Sequence, residues 1–499
     1  MKKILTVLLA IIAIFNFTSC RDFESLDIKN ENLPDISAMY APKESYSLLS
    51  NGYNTWYNGS IAASPTIGFA CAELFQAGTS SWGSGTMWFR PRGDLFNGIT
   101  PDPVIIINYG AWYNYYTAVG STMVLANKLK DPSYKIILNG IDYTQRVKAH
   151  NLIIQALLYG NIALLYDKAY LFTDKDDALT FDYKANTKSY KEVMAFAMGQ
   201  LDNAIKIIQG DPLDGDYSEI IPGQTFNKAT LLQFANSMAA RFLVNNARTP
   251  AENAQTDWAK VAQYAHNGLQ QNFSVQYKQG WRGKVMTRDE GSNYFWLHNA
   301  QYIRGSQWLL HLMAPNDPNS VYPFPNGVKR LPPITNCPDA RLNKYFTDSD
   351  DLGQWFGFGR ATRVGFGTWI MSEYRYTRYF DVVFNETGSV DHFLKAENDL
   401  YLAEAKLRLG QTGASGYVNN SRVGIGNLPA ATDADPDLLD KIFYERYVEC
   451  DLVWPQLGFF DKRRNGTLLP GTVFQFPIPA PELIAHGQPV YTFGANKPM

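Results

Sequence analysis

Two kinds of side chain in this sequence could do chemistry: a cysteine placed for acylation and tryptophans placed for stacking. Cys20 follows Phe17, Thr18 and Ser19 at the end of MKKILTVLLAIIAIFNFTSC. Lys2 and Lys3 precede an apolar run from Ile4 to Phe15. That run is too short for a spanning helix, which needs about 20 apolar residues, but it has the flanks and length of a secretory signal. Residues 1–19 are therefore expected to be removed and Cys20 to carry lipid. Acyl chains contribute about 0.8 kcal/mol per buried methylene, so several of them would hold a soluble body on a membrane. The tryptophans are Trp82, Trp281 and Trp296, flanked by Gly, Ser or polar residues, followed by Trp88 and Trp308. Rings so placed are read as a stacking surface for a flat ligand, with sugars and bases both candidates. Trp112 and Trp454 stand in or beside helical patterns and are read as packing.

Other chemistry finds little support. Lys+Arg 45 against Asp+Glu 47 gives a net charge of −2 with no block of like charges, which argues against nucleic acid, since that calls for a basic face. There is no GxSxG elbow, HExxH, GxxxxGK[ST] or GxGxxG. The six histidines are scattered, and His298 and His311 lack metal-ligand spacing. Two acidic loops, one with Asp211, Asp214, Asp216 and Glu219 and one with Asp348, Asp350 and Asp351, do not fit a calcium loop. Both are read as solvated. Cys71, Cys337 and Cys450 are too widely spaced for metal or redox work and allow at most one disulfide; they are read as small buried apolar residues. No catalytic residue, metal site or cofactor is expected.

These side chains need a frame. Residues 20–60 read as the anchor and a polar, extended arm, and residues 61–499 as one domain. Within it, about 104–270 and 393–455 carry apolar residues at helical spacing. Ala149, Ala156, Gly160 and Ala163 make one small-residue stripe and Ala235, Ala239 and Ala240 another, which lets helices approach closely. Ser189 with Glu192 three residues on is a capping box, and Gly410 ends a helix by accepting a left-handed conformation. The fold class expected is mostly α, with divergent tetratricopeptide-like helical hairpins. Segments 61–102 and 273–392 lose the helical period in glycine, proline and aromatics. They are read as an irregular, loop-rich ligand lobe with short strands.

Four stretches in this order carry a resemblance: FLKAENDLYLAEAKLRLG, YVNNSRVGIGNLP, IFYERYVECDLVWPQLGFFDKRRNG and FPIPAPELIAH. Together they resemble the motifs of the SusD/RagB family of nutrient-binding outer-membrane lipoproteins of Bacteroidetes, over nearly the whole chain. Val423 and Gly424 depart from the family's Arg-Ala-Gly, and Cys450 with Leu452, Val453, Trp454 and Pro455 departs from its Glu-Gly-x-Arg-Trp. The resemblance implies a lipid-anchored protein of the outer membrane, facing the cell surface. Its helical units would contact a SusC-like TonB-dependent transporter, and its loop insertions would bind a glycan without cutting it. Peptide capture is the alternative within the family, and a lipid-anchored glycoside hydrolase the alternative outside it. Arg21, Asp22 and Glu24 partly match acidic surface-export signals of these bacteria.

Overall fold

The computed structural model describes residues 41–60, 67–75, 78–80, 105–177, 179–276, 303–322, 331–348, 372, 374–379, 382, 387–450, 453–454 and 456–491. The helices are α1 (Pro42–Ser60), α2 (Ile67–Phe75), α3 (Ile105–Lys128), α4 (Thr144–Leu165), α5 (Tyr190–Gly210), α6 (Lys228–Asn245), α7 (Pro250–Ala254) and α8 (Trp258–His266). They continue with α9 (Gln307–Met313), α10 (Arg341–Tyr345), α11 (Lys395–Arg408), α12 (Ala414–Arg422), α13 (Leu438–Glu445), α14 (Leu457–Asn465) and α15 (Ala480–Ala485). Helices pack largely in chain order: α1 and α3 on α4, α4 on α5, α5 on α6, α6 on α8, α8 on α11, and α11 on α12 and α13. This is the tetratricopeptide-like helical frame, and the fold is mostly α. Among the described residues no helix is long and apolar enough to cross a membrane.

Local chemistry explains the frame. Ser189 and Glu192 form a reciprocal capping box at the start of α5, and the Asn227 side chain accepts from Thr230 N at the start of α6. Gly410 follows α11 at φ 65°, where a side chain would be strained. At Gly160 a β-carbon would overlap the Phe242 ring, so α4 and α6 touch only because that position is bare. Trp112 and Trp454 are fully buried, in agreement with the packing reading. Cys71 and Cys450 are buried, Cys337 is half-buried, and the three form no disulfide with one another.

Strands are short and paired in antiparallel twos. They are β1 (Gly78–Ser80), β2 (Ile137–Leu138), β3 (Ile141–Asp142), β4 (Lys168–Tyr170), β5 (Thr187–Ser189), β6 (Phe273–Gln276), β7 (Ile303–Gly305), β8 (Phe346–Asp348), β9 (Tyr374–Tyr376) and β10 (Ser389–Phe393). The pairs are β1–β7, β2–β3, β4–β5, β6–β10 and β8–β9. The β1–β7 ladder runs Gly78 to Gly305 and Ser80 to Ile303. It joins the two segments singled out as the ligand lobe, and Ser372 Oγ ties a third piece to it through Gly305 O at 2.7 Å.

Three readings need correction. The arm expected up to residue 60 becomes α1 from Pro42, because Tyr46, Leu49, Tyr53, Trp56 and Tyr57 bury one helical face. The segment 61–102 contains α2, so it is not loop throughout. The acidic loop after α5 is not wholly solvated. Asp211 is buried, the Asp216 side chain is only 3% exposed, and they bind Arg146 at 2.6 and 3.1 Å, with Asp216 also 3.1 Å from His150 Nε2. Burial alone would raise the Asp216 carboxyl, but His150 and Arg146 outweigh it and hold it low.

Candidate functional site

Of the expected stacking residues, Trp308 falls on described backbone, and it stands on a helix, not a loop. The Ser306 hydroxyl caps α9 by accepting from Leu309 N, which turns Trp308 toward α13 and α14. Trp308 is half-buried. Its ring centroid lies 5.9 Å from that of Tyr447, and Lys462 Nζ sits 3.8 Å over it. Cys20, Trp82, Trp88, Trp281 and Trp296 lie outside the described residues.

Tyr447 and Lys462 both line an open groove of about 570 Å³ between α9, α12, α13 and α14. The floor is apolar and aromatic: Leu312, Met313, Pro315, Phe443, Tyr444 and Tyr447. Arg422, Asp437, Asp440, Lys441, Asn465 and Thr467 supply polar groups. Phe443 and Tyr447 lie four residues apart on one face, rings nearly parallel at 13° and 6.2 Å between centroids. The arrangement offers rings for the flat face of a ligand and amides, hydroxyls and charges for its edges, the usual composition of a small-molecule site.

Beneath the floor α13 passes into a π-helical turn, Arg446–Cys450. Of residues 445–450, all but Tyr447 are buried, and the charged ones are paired. Glu445 accepts from Arg341 at 2.7 Å. Arg446 reaches Glu404 at 2.7 Å and Asp461 at 3.1 Å. Glu449 accepts from Arg378 and the Tyr345 hydroxyl, each at 2.9 Å. Arg464 adds bonds of 2.7 Å to Glu404 and 2.6 Å to Asp461. Burial by itself would raise the Glu404 carboxyl; Arg464 and Arg446 reverse this and hold it well below the usual carboxylate range. At Glu445 burial prevails over Arg341 and the carboxyl is raised. Tyr444 ties floor to network by donating to Asp339 Oδ2 at 2.7 Å, so the aromatic floor is fixed from below.

One wall is tied by a single carboxylate. Asp317 accepts from Asn319 N at 2.8 Å, Thr335 N at 2.9 Å and Asn336 N at 2.6 Å. Burial would raise this carboxyl, but the backbone amides of Asn319, Asn336 and Thr335 outweigh it and lower it. The clamp joins the turn after α9 to the strand-like run before α10, which carries Pro338 into the groove.

Sequence reasoning missed this groove. Phe443, Tyr444 and Tyr447 stood in a motif valued for its resemblance, and the i, i+1, i+4 spacing of three aromatics was the signal available.

No family model matches the sequence, and no curated protein matches it. Solved structures do. A SusD superfamily protein from Parabacteroides distasonis is similar with a TM-score of 0.58 at 13% identity, over 89% of this chain and 98% of that one. A laminarin-binding SusD-like protein gives 0.55 at 15%, over 91% and 99%. A SusD-like carbohydrate-binding protein from Bacteroides vulgatus gives 0.54 at 14%, over 84% and 82%. At these identities the likeness is one of fold: the chain shares the fold of these solved structures.

Proposed function

We propose that this protein is a SusD/RagB-type lipoprotein that captures a glycan at the outer membrane without cutting it and passes it to a TonB-dependent transporter. The observation that carries the reading is the aromatic-floored groove beside Trp308, on a fold shared with carbohydrate-binding proteins. Anchoring through Cys20 and the surface-facing position rest on the N-terminal pattern. Trp82, Trp88, Trp281 and Trp296 are further stacking residues in this reading, on their sequence context of Gly, Ser and polar neighbours or their place in the loop-rich segments.

The test is affinity for a panel of polysaccharides, measured beside melting temperature. Phe443→Ala and Trp308→Ala should each weaken binding about tenfold, on the scale of about 1–3 kcal/mol per aromatic stacking contact. Trp82→Ala and Trp296→Ala should melt near wild type and weaken binding similarly. The polymer should be recovered at its original length after long incubation. Unchanged affinity in all four variants would remove aromatic stacking from the function. Shortening of the polymer would make the protein an enzyme.

A further inference from the structure

A second aromatic surface lies where α3, α15 and the β4–β5 ribbon meet, built from residues that the groove does not use. Tyr109 and Tyr113 stand on successive turns of α3 with ring centroids 5.9 Å apart, and Tyr113 is 56% exposed. Behind them Trp112 and Tyr116 pack ring to ring at 4.6 Å. Trp112 also meets Tyr170 edge-on at 5.6 Å. Tyr183 lies flat on His486, 3.5 Å between centroids and 13° between planes. Ile484, on α15 two residues before His486, is 64% exposed. Tyr113 and Ile484 are the exposed large apolar side chains of these two elements among the described residues.

One carboxylate sits within this array. Glu482 Oε2 is 3.7 Å from His486 Nε2, and both side chains are about one-quarter exposed, at 23%. The Trp112 indole donates to Glu482, and burial raises its carboxyl above the ordinary value in spite of His486 and that bond. Among the described residues no lysine or arginine pairs with it. The Tyr109 phenol is raised as well, by burial and then by the Glu482 charge, which places that ring within the carboxylate's field. An apolar protein surface laid over the patch would strip the remaining water from Glu482 and leave it the Trp112 indole as donor beside His486, which is costly for a carboxylate. A sugar replaces that water with hydroxyl donors and offers the rings an apolar C–H face.

We propose that this patch is a second saccharide-binding surface, in which Tyr109 and Tyr113 take the C–H face of a pyranose and Glu482 with His486 takes its hydroxyls. The proposal rests on the glycan reading and deepens it. Two surfaces on one chain hold a polymer more firmly than either alone, because the second contact is intramolecular. A single sugar ring gains nothing from the pair, so selectivity for long chains follows.

The experiment uses laminarin, amylopectin, xylan and mannan, with the wild-type chain, a Tyr109→Ala/Tyr113→Ala double variant and Glu482→Gln. For a polymer that binds, hydroxyl-radical footprinting should show Tyr109 and Tyr113 protected at saturation. The double variant should lose about tenfold in affinity and Glu482→Gln, which keeps the side-chain shape, a smaller amount. Phe443→Ala should leave the tyrosine protection in place. Binding without that protection, and with unchanged affinity in both variants, overturns the proposal and leaves the glycan reading standing. If none of the four polymers binds, the glycan reading fails and the second surface fails with it. Wild-type self-association that the double variant abolishes would assign the patch to another copy of the chain and likewise overturn the proposal.

Discussion

His392 should make the protein acid-labile by an amount that can be worked out. It lies on β10 and is 1% exposed. Trp56 meets its ring edge-on at 4.8 Å, Tyr57 lies 5.1 Å away, and Ser60 Oγ is 3.3 Å from Nε2. Burial first, and then the Arg241 guanidinium, push its pKa down from 6.5 to about 3. The folded protein therefore keeps His392 neutral while the unfolded chain accepts a proton below about pH 6.5. Above that pH both states are neutral and the residue contributes no pH dependence. Below it, each pH unit costs about 1.4 kcal/mol of stability until the folded pKa is reached. The loss is about 2 kcal/mol at pH 5 and about 4 kcal/mol at pH 3.5. His392→Gln removes the titration, whatever it does to packing. Urea unfolding of both proteins at pH 7.5, 6.5, 5.5 and 5.0 gives a difference in which the shared carboxylates cancel. That difference should be constant above pH 6.5 and drift in favour of the variant below it. A difference independent of pH down to 5 would show that the buried ring accepts its proton as readily as an exposed one, and the desolvation reasoning would fall.

Three further outcomes are expected. Gly160→Leu should destabilise the fold by about 1–3 kcal/mol or more through overpacking, read as a lower melting temperature, because a side chain there meets the Phe242 ring. Arg446→Met should cost about 3–5 kcal/mol, read by denaturant unfolding, since it leaves Asp461 buried with Arg464 and Glu404 with Arg464 and the more exposed Arg408. Cys20→Ala should release the protein from the outer-membrane fraction; retention after a high-salt wash would remove the lipid anchor from the reading.

What was legible in the sequence was what depends on neighbours in the chain. The Ser189–Glu192 box, Gly410 after α11 and the bare stripe of α4 all act within a few residues or one helical face. The helix α1 had the same signal in Tyr46, Leu49, Tyr53, Trp56 and Tyr57, but its Asn, Ser and Gly content, poor in helix propensity, hid it. The charged interior was not legible. Arg241 binds Glu397 across 156 positions at 2.7 Å, and Arg463 reaches Leu164 O across 299 positions at 2.9 Å. Residue type marks such side chains as surface, and only the fold reveals their partners. Asp211 and Asp216 were misread for that reason, and Glu445 and Glu449, letters of a motif in the sequence, prove to be paired with arginines beneath the groove.

The π-turn at Arg446–Cys450 also limits how this protein can change. A turn of that kind holds more residues than an α-turn, so removing one residue would restore ordinary winding. Each α-helical residue advances about 100°, and one deletion would swing Phe443 and Tyr444 away from the groove relative to everything after Cys450. It would also pull Glu445 from Arg341 or Arg446 from Glu404, depending on which side yielded. The ion pairs of Glu445, Arg446 and Glu449 act as a pawl: the extra residue, once accommodated, is held in place by partners that include three other helices. Lineages that alter what the groove accepts would then do so by exchanging its rings, with its register held constant.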